Sequence, residues 1–513
     1  MSQPIPNPLR RLIIICGDQL DADSAVFEGF DPARDAVLMT EAYDEATYIW
    51  QHKRRLVFFF AAMRGFRDAL NERGFPVVYN ALDDKDPPHS LAEGLKRAID
   101  AHAPEEIRLT RPGDYRVLMA LTDTADIEVI EDSHFLTTPA AFAAFREGRK
   151  RFIMEDFYRH MRKETGYLMQ DGKPVGGDWN YDKENREVFK KDGPGLLPRR
   201  DTFGPSARTQ QVIDMVADRF PDAPGSLDDF KEPVTREDAL TALDDFIANR
   251  LPDFGRWQDA MWEGESTLYH SRISAVMNVK LLHPREVCDA AIAAYEKGRA
   301  PLNAVEGFVR QIIGWREFTR GIYWMEMPTY AEMNGLKATN DVPDFFWTGE
   351  TDMACLRDSL GKLLETGYAH HIERLMVMGL YLQLHGTDPF KAHEWHMALY
   401  LDAIDWVSMP NMLGMSQHGD GGIVGTKPYC ASGAYIGRMG HYCGDCRFDP
   451  KESTGEKACP FTTLYWDFLA RHEKAFATNH RMKFQLNNLY RKSDADLAAI
   501  RKHAKTIIKS ANA

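Results

Sequence analysis

Long hydrophobic runs are missing from this chain of 513 residues. A transmembrane helix needs about 20 consecutive, mainly apolar residues, and no stretch approaches that length. The apolar run LIIIC at 12–16 is short and is followed almost at once by Asp18. Such a run indicates a buried strand rather than a signal peptide. We therefore expect no membrane association and a cytoplasmic location.

Positive charge is also scarce: 63 Lys and Arg face 76 Asp and Glu, which gives a net charge of −13. Because nucleic-acid phosphates attract Lys and Arg, this balance, taken over the whole chain, argues against a nucleic-acid partner. Residues 471–513 differ, with ten Lys/Arg and three Asp/Glu. They form either a local basic face or a solvated helical tail, and composition does not separate the two.

A third absence is the dinucleotide-binding pattern GxGxxG. Apolar runs at 12–16, 36–42, 76–82, 107–110 and 127–131 nevertheless predict five strands, and helical patterns at 56–72 and 91–101 lie between them. Strands alternating with helices predict a doubly wound α/β domain with a five-stranded parallel sheet. We assign residues 1–140 to this domain.

Ligands of doubly wound sheets bind beyond the carboxyl ends of the strands. The segments GDQL and EAYDEATY follow the first two strands and are acidic and aromatic. Without GxGxxG, such a crevice suits an uncharged heterocycle better than a dinucleotide; alternatively, the acidic residues only cap helices. The crevice residues are Asp18, Glu41, Glu45 and Tyr48.

The rest of the chain divides into a connector and a helical domain. Residues 141–235 are rich in loop signals, above all PVGGDWNYDKENR at 174–186. Residues 236–513 show helical periodicity and no strand alternation. We predict helices at 236–249, 285–297, 304–320, 355–368, 370–386, 391–406 and 461–474. A helical domain of this size can enclose a cofactor.

Four of the seven cysteines suggest a metal site. Cys443 and Cys446 form a C-x2-C pair, Cys459 precedes a proline, and Cys355 lies upstream. Four thiolates can hold structural zinc or a [4Fe–4S] cluster, and spacing alone leaves both open. Cys16 and Cys288 sit in apolar patterns and are expected to be packed thiols.

Several long segments of the C-terminal half resemble the cryptochrome/photolyase family. They are EGFVRQIIGWREF (306–318), FFWTG (345–349), TGYAHHIERLM (366–376) and EWHMALYLDAIDW (394–406). The cysteine set, preceded by GTKPYCASGAYIGRM (425–439), resembles the bacterial iron–sulfur branch of that family, the prokaryotic (6-4) photolyases. The similarity extends over nearly the whole chain.

This resemblance implies an N-terminal antenna domain and an all-α FAD-binding domain. It implies three cofactors: FAD, a [4Fe–4S] cluster and the antenna chromophore 6,7-dimethyl-8-ribityllumazine. The implied reaction is light-driven repair of (6-4) photoproducts in UV-damaged DNA, double- or single-stranded, by a monomer.

The resemblance also assigns roles to individual residues. His371, with His370 beside it, is expected to provide the proton chemistry, which suits a side chain whose pKa lies near neutral pH. Tyr429, Tyr435 and Asp182 should line the lesion site. The FAD contacts should be Ser271, Ser274, Gln311, Arg316, Arg374, Asp402 and Ser408. Electrons should be relayed by Trp395, His396 and Trp347. The lumazine should be contacted by Asp18, Glu41, Glu45 and Tyr48. The cluster should be held by Cys355, Cys443, Cys446 and Cys459.

Three positions depart from the family pattern. Leu375 stands where eukaryotic (6-4) enzymes have a second histidine, so His371 must work with another group or with water. His396 replaces the tyrosine of the usual relay, and a neutral imidazole is harder to oxidise than a phenol. We predict slower or rerouted photoreduction. Ser408 stands where a carboxylate is expected opposite flavin N5.

Two other functions compete with repair. A blue-light receptor of the same family would share the fold, because fold does not fix function. A zinc-stabilised DNA-binding protein without photochemistry would use the same four cysteines. An absorbance spectrum distinguishes the zinc-stabilised protein from the photolyase and the receptor, because flavin and iron–sulfur proteins are coloured.

Overall fold

A five-stranded parallel sheet forms the core of the N-terminal domain in the computed structural model, which describes residues 3–149 and 152–511. The strands are β1 (Arg11–Ile14), β2 (Asp35–Thr40), β3 (Val77–Asn80), β4 (Glu106–Thr110) and β5 (Glu128–Ile130). Their order, β3-β2-β1-β4-β5, places β1 at the centre with neighbours added outward on both sides. The predicted doubly wound sheet is confirmed.

Helices cover both faces of the sheet. They are α1 (Tyr43–Thr47), α2 (Lys53–Glu72), α3 (Leu91–His102) and α4 (Tyr115–Thr122). Alternate residues of β1 point to opposite faces: Leu12 and Ile14 pack in a small core with α3 and α4, whereas Ile13 joins the large core shared with the helical domain. The sheet is therefore buried on both sides, which explains its continuous apolar strands.

The connector contains more regular structure than its loop signals suggested. It holds α5 (Pro139–Arg146), α6 (Met154–Thr165), a two-stranded hairpin of β6 (Met169–Gln170) and β7 (Lys173–Pro174), and α7 (Ala207–Arg219). Ser206 caps α7 by accepting a hydrogen bond from the Thr209 amide. The expected loop at 174–186 is present between β7 and α7.

The C-terminal domain is helical, as predicted. Its helices are α8 (Arg236–Asn249), α9 (Leu251–Trp257), α10 (Ser274–Asn278), α11 (Pro284–Glu296), α12 (Leu302–Val309), α13 (Glu317–Glu326), α14 (Phe345–Thr348), α15 (Ala354–Thr366), α16 (His371–Glu373), α17 (Leu380–His385), α18 (Pro389–Leu399), α19 (Asp405–Met409), α20 (Gly433–Met439), α21 (Pro460–Arg471), α22 (Glu473–Phe476), α23 (Lys483–Leu489) and α24 (Asp494–Ser510). Short 3-10 turns lie at Ala25–Phe27, Thr329–Glu332 and His480–Met482. Within the described residues, no helix is long and apolar enough to cross a membrane.

One predicted helix, 391–406, is wrong in its extent. Helix α18 ends at Leu399, and α19 starts only at Asp405. The intervening backbone bonds elsewhere, because the Leu401 amide donates to the Gly367 carbonyl and Asn278 Nδ2 donates to the Asp402 carbonyl. The break places Asp402 at the wall of a cavity instead of on a helix surface.

Three helices of this domain pass through a π-helical segment. These segments are Arg310–Arg316 between α12 and α13, Arg374–Gly379 between α16 and α17, and Pro410–Ser416 after α19. A π turn widens the helix locally and often marks a functional site. All three segments contribute side chains to the same cavity.

Candidate active site

A cavity of about 290 Å³ opens inside the helical domain between the three π-helical segments and the chain at 270–278. Its lining is mainly apolar, for example at Phe308, Trp315 and Met412, with polar and charged side chains set among these. All seven residues expected to contact FAD border it, together with two residues given other roles. They are Ser271, Ser274, Gln311, Arg316, Arg374, Asp402 and Ser408, with His371 and His396.

An ion pair fixes one wall of this cavity. Arg374 Nη1 and Nη2 donate to Asp402 Oδ1 and Oδ2 at 2.8 and 3.1 Å, a bidentate arrangement. Burial would raise the pKa of Asp402, but Arg374 and the Ser274 hydroxyl outweigh it and lower the pKa to about 2. Ser274 Oγ donates to Asp402 at 2.6 Å, so in this structure the hydroxyl stabilises the carboxylate of the ion pair.

Three histidines meet at one side of the cavity. His371 is exposed to the open cavity although protein surrounds that space, and burial together with the Arg374 charge lowers its pKa to about 4. His370 is buried behind it and stacks on His270, with ring centroids 4.7 Å apart and planes 9° apart. Burial likewise lowers the pKa of His370 and of His270. All three imidazoles are therefore neutral near pH 7.

A buried polar network continues from His370 away from the cavity. His370 Nε2 lies 3.6 Å from Glu373 Oε1, too long for a hydrogen bond. The same carboxylate oxygen accepts from Lys362 Nζ at 2.7 Å and from the Tyr442 hydroxyl at 3.3 Å. Burial raises the pKa of Glu373 against the opposing charge of Lys362. Tyr442 borders the cysteine cavity described below, so this network links two cavities.

Several buried polar atoms at the cavity have no protein partner among the described residues. They are His270 Nε2, Arg316 Nε, His396 Nδ1 and Ser408 Oγ. Unpaired buried donors and acceptors are destabilising unless a ligand or water satisfies them. The donor set and the flat apolar walls fit a large heteroaromatic ligand with polar edges, as FAD is.

The expected relay residues lie between this cavity and the surface. His396 lines the cavity, and the neighbouring Trp395 is buried, with its indole Nε1 donating to the Phe346 carbonyl at 3.2 Å. Trp347, the residue after Phe346, is only half-buried. Tyr400 stacks on the His396 ring at 4.2 Å and meets the Trp395 ring edge-on at 6.0 Å. A phenol is therefore present beside His396, although from a different sequence position.

The three expected lesion-site residues share one electrostatic environment. Arg310 Nη2 contacts Asp182 Oδ1 at 3.2 Å, and Arg186 pairs with the other oxygen, Oδ2. Despite burial, these two guanidinium groups lower the pKa of Asp182. Asp182 interacts electrostatically with Tyr429, and Arg186 interacts electrostatically with Tyr435. Both tyrosines are half-buried.

The four predicted cluster ligands border one small cavity. Cys355 lies at the start of α15, Cys443 and Cys446 follow α20, and Cys459 precedes α21. Gly433 is required here, because a Cβ atom at that position would lie 2.6 Å from Cys459 Sγ. Burial, and then the neighbouring sulfurs, raise the pKa of Cys355. A positively charged centre would favour the thiolates that this environment otherwise disfavours.

Within residues 3–149 and 152–511, no three His, Cys, Asp or Glu groups converge closely enough to hold a single metal ion. The four sulfurs instead surround a common space. Four cysteine thiolates are a donor set that either structural zinc or an iron–sulfur cluster can take.

A second cavity, of about 120 Å³, lies beyond the carboxyl ends of the strands and is lined by all four expected antenna residues. Glu45 is held by a bidentate Arg116, whose guanidinium lies 4.4 Å from the Tyr48 ring centroid. Asp18 Oδ2 accepts from the Gly113 amide at 2.8 Å, and a side chain at Gly113 would collide with it.

Glu41 differs from the other three antenna candidates. Its oxygens accept from Arg64 at 2.7 and 2.8 Å and from Tyr79 and the Leu82 amide. The side chain is completely buried. Its hydrogen-bonding capacity is used within the domain, so a structural role accounts for it.

Sequence reasoning missed four residues of these sites: His270, Glu373, Tyr400 and Asp259. Asp259 faces Asp182, and burial together with that charge raises its pKa to about 6. Glu373 stands inside the segment 366–376, next to Arg374, and His270 directly precedes Ser271, so proximity in sequence to an expected site residue was the available signal. Tyr400 becomes a neighbour of His396 at the very end of α18.

Known proteins are similar to this chain over most of its length. Residues 13–231 match the family model described as deoxyribodipyrimidine photo-lyase-related protein. A protein named (6-4) photolyase from Agrobacterium fabrum is 45% identical over 479 residues, covering 92% of this chain and 94% of that protein.

Two solved structures share the fold. A bacterial class III photolyase from Agrobacterium tumefaciens superposes with a TM-score of 0.56 at 15% identity, covering 99% of both chains. A cryptochrome from Synechocystis gives 0.53 at 14% identity, covering 81% of this chain and 83% of that one.

Proposed function

The chain belongs to the (6-4) photolyases of the cryptochrome/photolyase family, and on that basis we propose that it repairs (6-4) photoproducts in UV-damaged DNA with blue light. The observation that carries the proposal is the cavity that brings His371 together with the Arg374–Asp402 pair and the other five expected FAD contacts. Photolyase chemistry needs these two elements side by side: a flavin site and a proton-handling group facing the lesion.

The cavity residues have separable tasks toward FAD. Reduced FAD, excited by light, would supply the electron that the lesion needs. Arg374 and Asp402 would orient the ring system through their rigid paired geometry. Arg316 carries a positive charge at the cavity wall. Its Nε has no hydrogen-bond partner and can donate to an anionic group or a polar edge of the cofactor. Ser408 offers a buried hydroxyl, in place of a carboxylate, at the ring.

His371 is the residue that we place against the lesion. It is the histidine open to the cavity, and it is neutral in the free protein because its pKa is about 4. Anionic DNA would raise this pKa, since a negative charge favours the protonated imidazole. Leu375 also lines the cavity and brings no second imidazole, whereas His270 does line it with one.

DNA would meet the protein around Asp182, Tyr429 and Tyr435. Damaged bases are extruded from the duplex before chemistry, and aromatic side chains stack against them. Arg481 bonds to Thr426 near Tyr429, so positive charge borders this surface in an otherwise acidic protein. This is the part of the basic 471–513 segment that we assign to DNA.

The remaining cofactors belong to the two smaller cavities. We assign a [4Fe–4S] cluster to the four cysteines, with a structural role in tying 443–460 to α15. We assign 6,7-dimethyl-8-ribityllumazine to the antenna cavity, where Asp18 and Glu45 accept hydrogen bonds and Tyr48 offers a ring face. A monomeric state and a cytoplasmic location stay predictions.

The decisive experiment uses an oligonucleotide with one (6-4) photoproduct, chemically reduced protein and blue light. Wild type should restore the two pyrimidines, His371→Ala should not, and His89→Ala, at an exposed histidine, should behave as wild type. Wild type that binds reduced FAD and leaves the lesion intact would favour the receptor. A colourless protein containing zinc would contradict both flavin-based functions.

A further inference from the structure

The Trp347 side chain does not face solvent alone. It packs against a second tryptophan, Trp50, which belongs to the N-terminal domain. The ring centroids of Trp50 and Trp347 lie 5.5 Å apart, with planes tilted by 46°. Trp50 is 51% exposed, whereas Trp395, at the inner end of the relay, is 1% exposed. The three indoles thus form a series of increasing solvent access away from the cavity.

The segment that carries Trp50 is anchored to the relay helix. The His52 amide donates to the carbonyl of Ala398, in α18, at 2.8 Å, and α18 also carries Trp395 and His396. Trp50 Nε1 donates to the Asp222 carbonyl at 3.0 Å, which fixes the indole. These bonds hold a half-exposed ring at one place, although large exposed side chains are otherwise free to rotate.

We infer that Trp50 is the outermost member of the photoreduction relay and the point at which external reductants deliver electrons. This rests on the proposed function, because it needs a flavin in the main cavity. A purely structural role would require only an aromatic ring that packs on Trp347. The inferred role requires an oxidisable ring with access to water.

Light-driven oxidation of the inner relay leaves one electron missing at Trp347. Trp50 supplies that electron and becomes a radical cation, while its indole N–H stays donated to the Asp222 carbonyl. A low-molecular-weight thiolate then returns one electron to Trp50 and leaves as a thiyl radical. Each cycle moves one electron inward and oxidises one thiolate.

The test compares Trp50→Phe, Trp50→Tyr and a control, Trp324→Phe, at a half-buried indole beside Tyr115. Transient absorption would follow the decay of the tryptophan radical, and steady illumination with a thiol would follow flavin reduction. Trp50→Phe should shorten the radical lifetime and slow thiol-dependent reduction severalfold, and Trp50→Tyr should restore much of both. The control should match wild type.

Two results would overturn the inference: Trp50→Phe indistinguishable from wild type, or Phe and Tyr variants slowed equally, which would indicate packing alone. Repair by each variant after chemical reduction is measured in parallel and should be unchanged. If wild type itself fails that assay, the proposed repair function fails, while the radical measurement still decides the role of Trp50.

Discussion

Replacing Asp402 by Asn tests the central wall of the cavity. The substitution keeps the shape of the side chain but removes the charge that Arg374 faces in two hydrogen bonds. The pKa of Asp402 falls from 3.8 to about 2, which corresponds to about 2 kcal/mol of stabilisation of the folded state at neutral pH. Leaving Arg374 unpaired adds to this, because a buried charge without its partner destabilises by about 3–5 kcal/mol in total.

We therefore expect Asp402→Asn to lower the free energy of unfolding by about 3–5 kcal/mol, measured at pH 7 by urea denaturation with tryptophan fluorescence. The matched control is Glu187→Gln, whose carboxylate meets Arg256 at 2.8 Å with both side chains about half exposed. That exposed pair should contribute less than about 1 kcal/mol. FAD content after purification should drop in Asp402→Asn and stay unchanged in the control.

The contribution of Asp402 to the stability of the folded state has a pH dependence whose direction follows from its lowered pKa. Because the pKa of Asp402 is lowered on folding, its stabilisation is complete above the unfolded value of 3.8 and is lost as the pH falls toward 2. The difference between wild type and Asp402→Asn should therefore be constant from pH 8 to pH 5. A difference that shrinks between pH 7 and pH 5, or that equals the control, would refute the reasoning.

Three further predictions concern the other sites. Cys355→Ser should lose iron and the broad visible absorbance of the cluster, whereas Cys430→Ser should keep both; equal iron in the two variants would contradict the ligand assignment. His371 should stay neutral in the free protein down to about pH 5 by NMR titration, because burial and Arg374 lower its pKa to about 4; a midpoint near 6.5 would disagree. His396→Tyr should speed photoreduction, since a phenol is easier to oxidise than a neutral imidazole, and a wild-type relay already at full speed and unaffected by His396→Phe would show the reasoning to be wrong.

The sheet was predictable because strands buried on both faces appear as continuous apolar runs. The predictions at 12–16 and 36–42 correspond to β1 and β2, with ends shifted by one or two residues. The grouping of Cys443, Cys446 and Cys459 was predictable from their spacing. The family segments at 306–318, 366–376 and 394–406 carry four of the expected FAD contacts that border the main cavity: Gln311, Arg316, Arg374 and Asp402. In each case the signal is local in sequence or carried by a long motif.

Other features depend on contacts that no local pattern encodes. Nothing between Pro389 and Trp406 resembles a helix stop, yet long-range bonds from Leu401 and Asn278 interrupt the helix and turn Asp402 inward. The π-helical segments are likewise set by packing around a cavity. The partnership of Trp50 with Trp347 joins residues almost 300 positions apart, in different domains.

The polar network around Glu373 has a consequence for assembly. Glu373 lies close to His370, behind the main cavity, and accepts a hydrogen bond from Tyr442, at the wall of the cysteine cavity. A group bound in one cavity that displaces this carboxylate changes the free energy of binding in the other. Such coupling is reciprocal, so each prosthetic group would alter the affinity of the other by the same factor. Protein lacking one of them should then bind the second with an affinity different from that of the fully loaded protein.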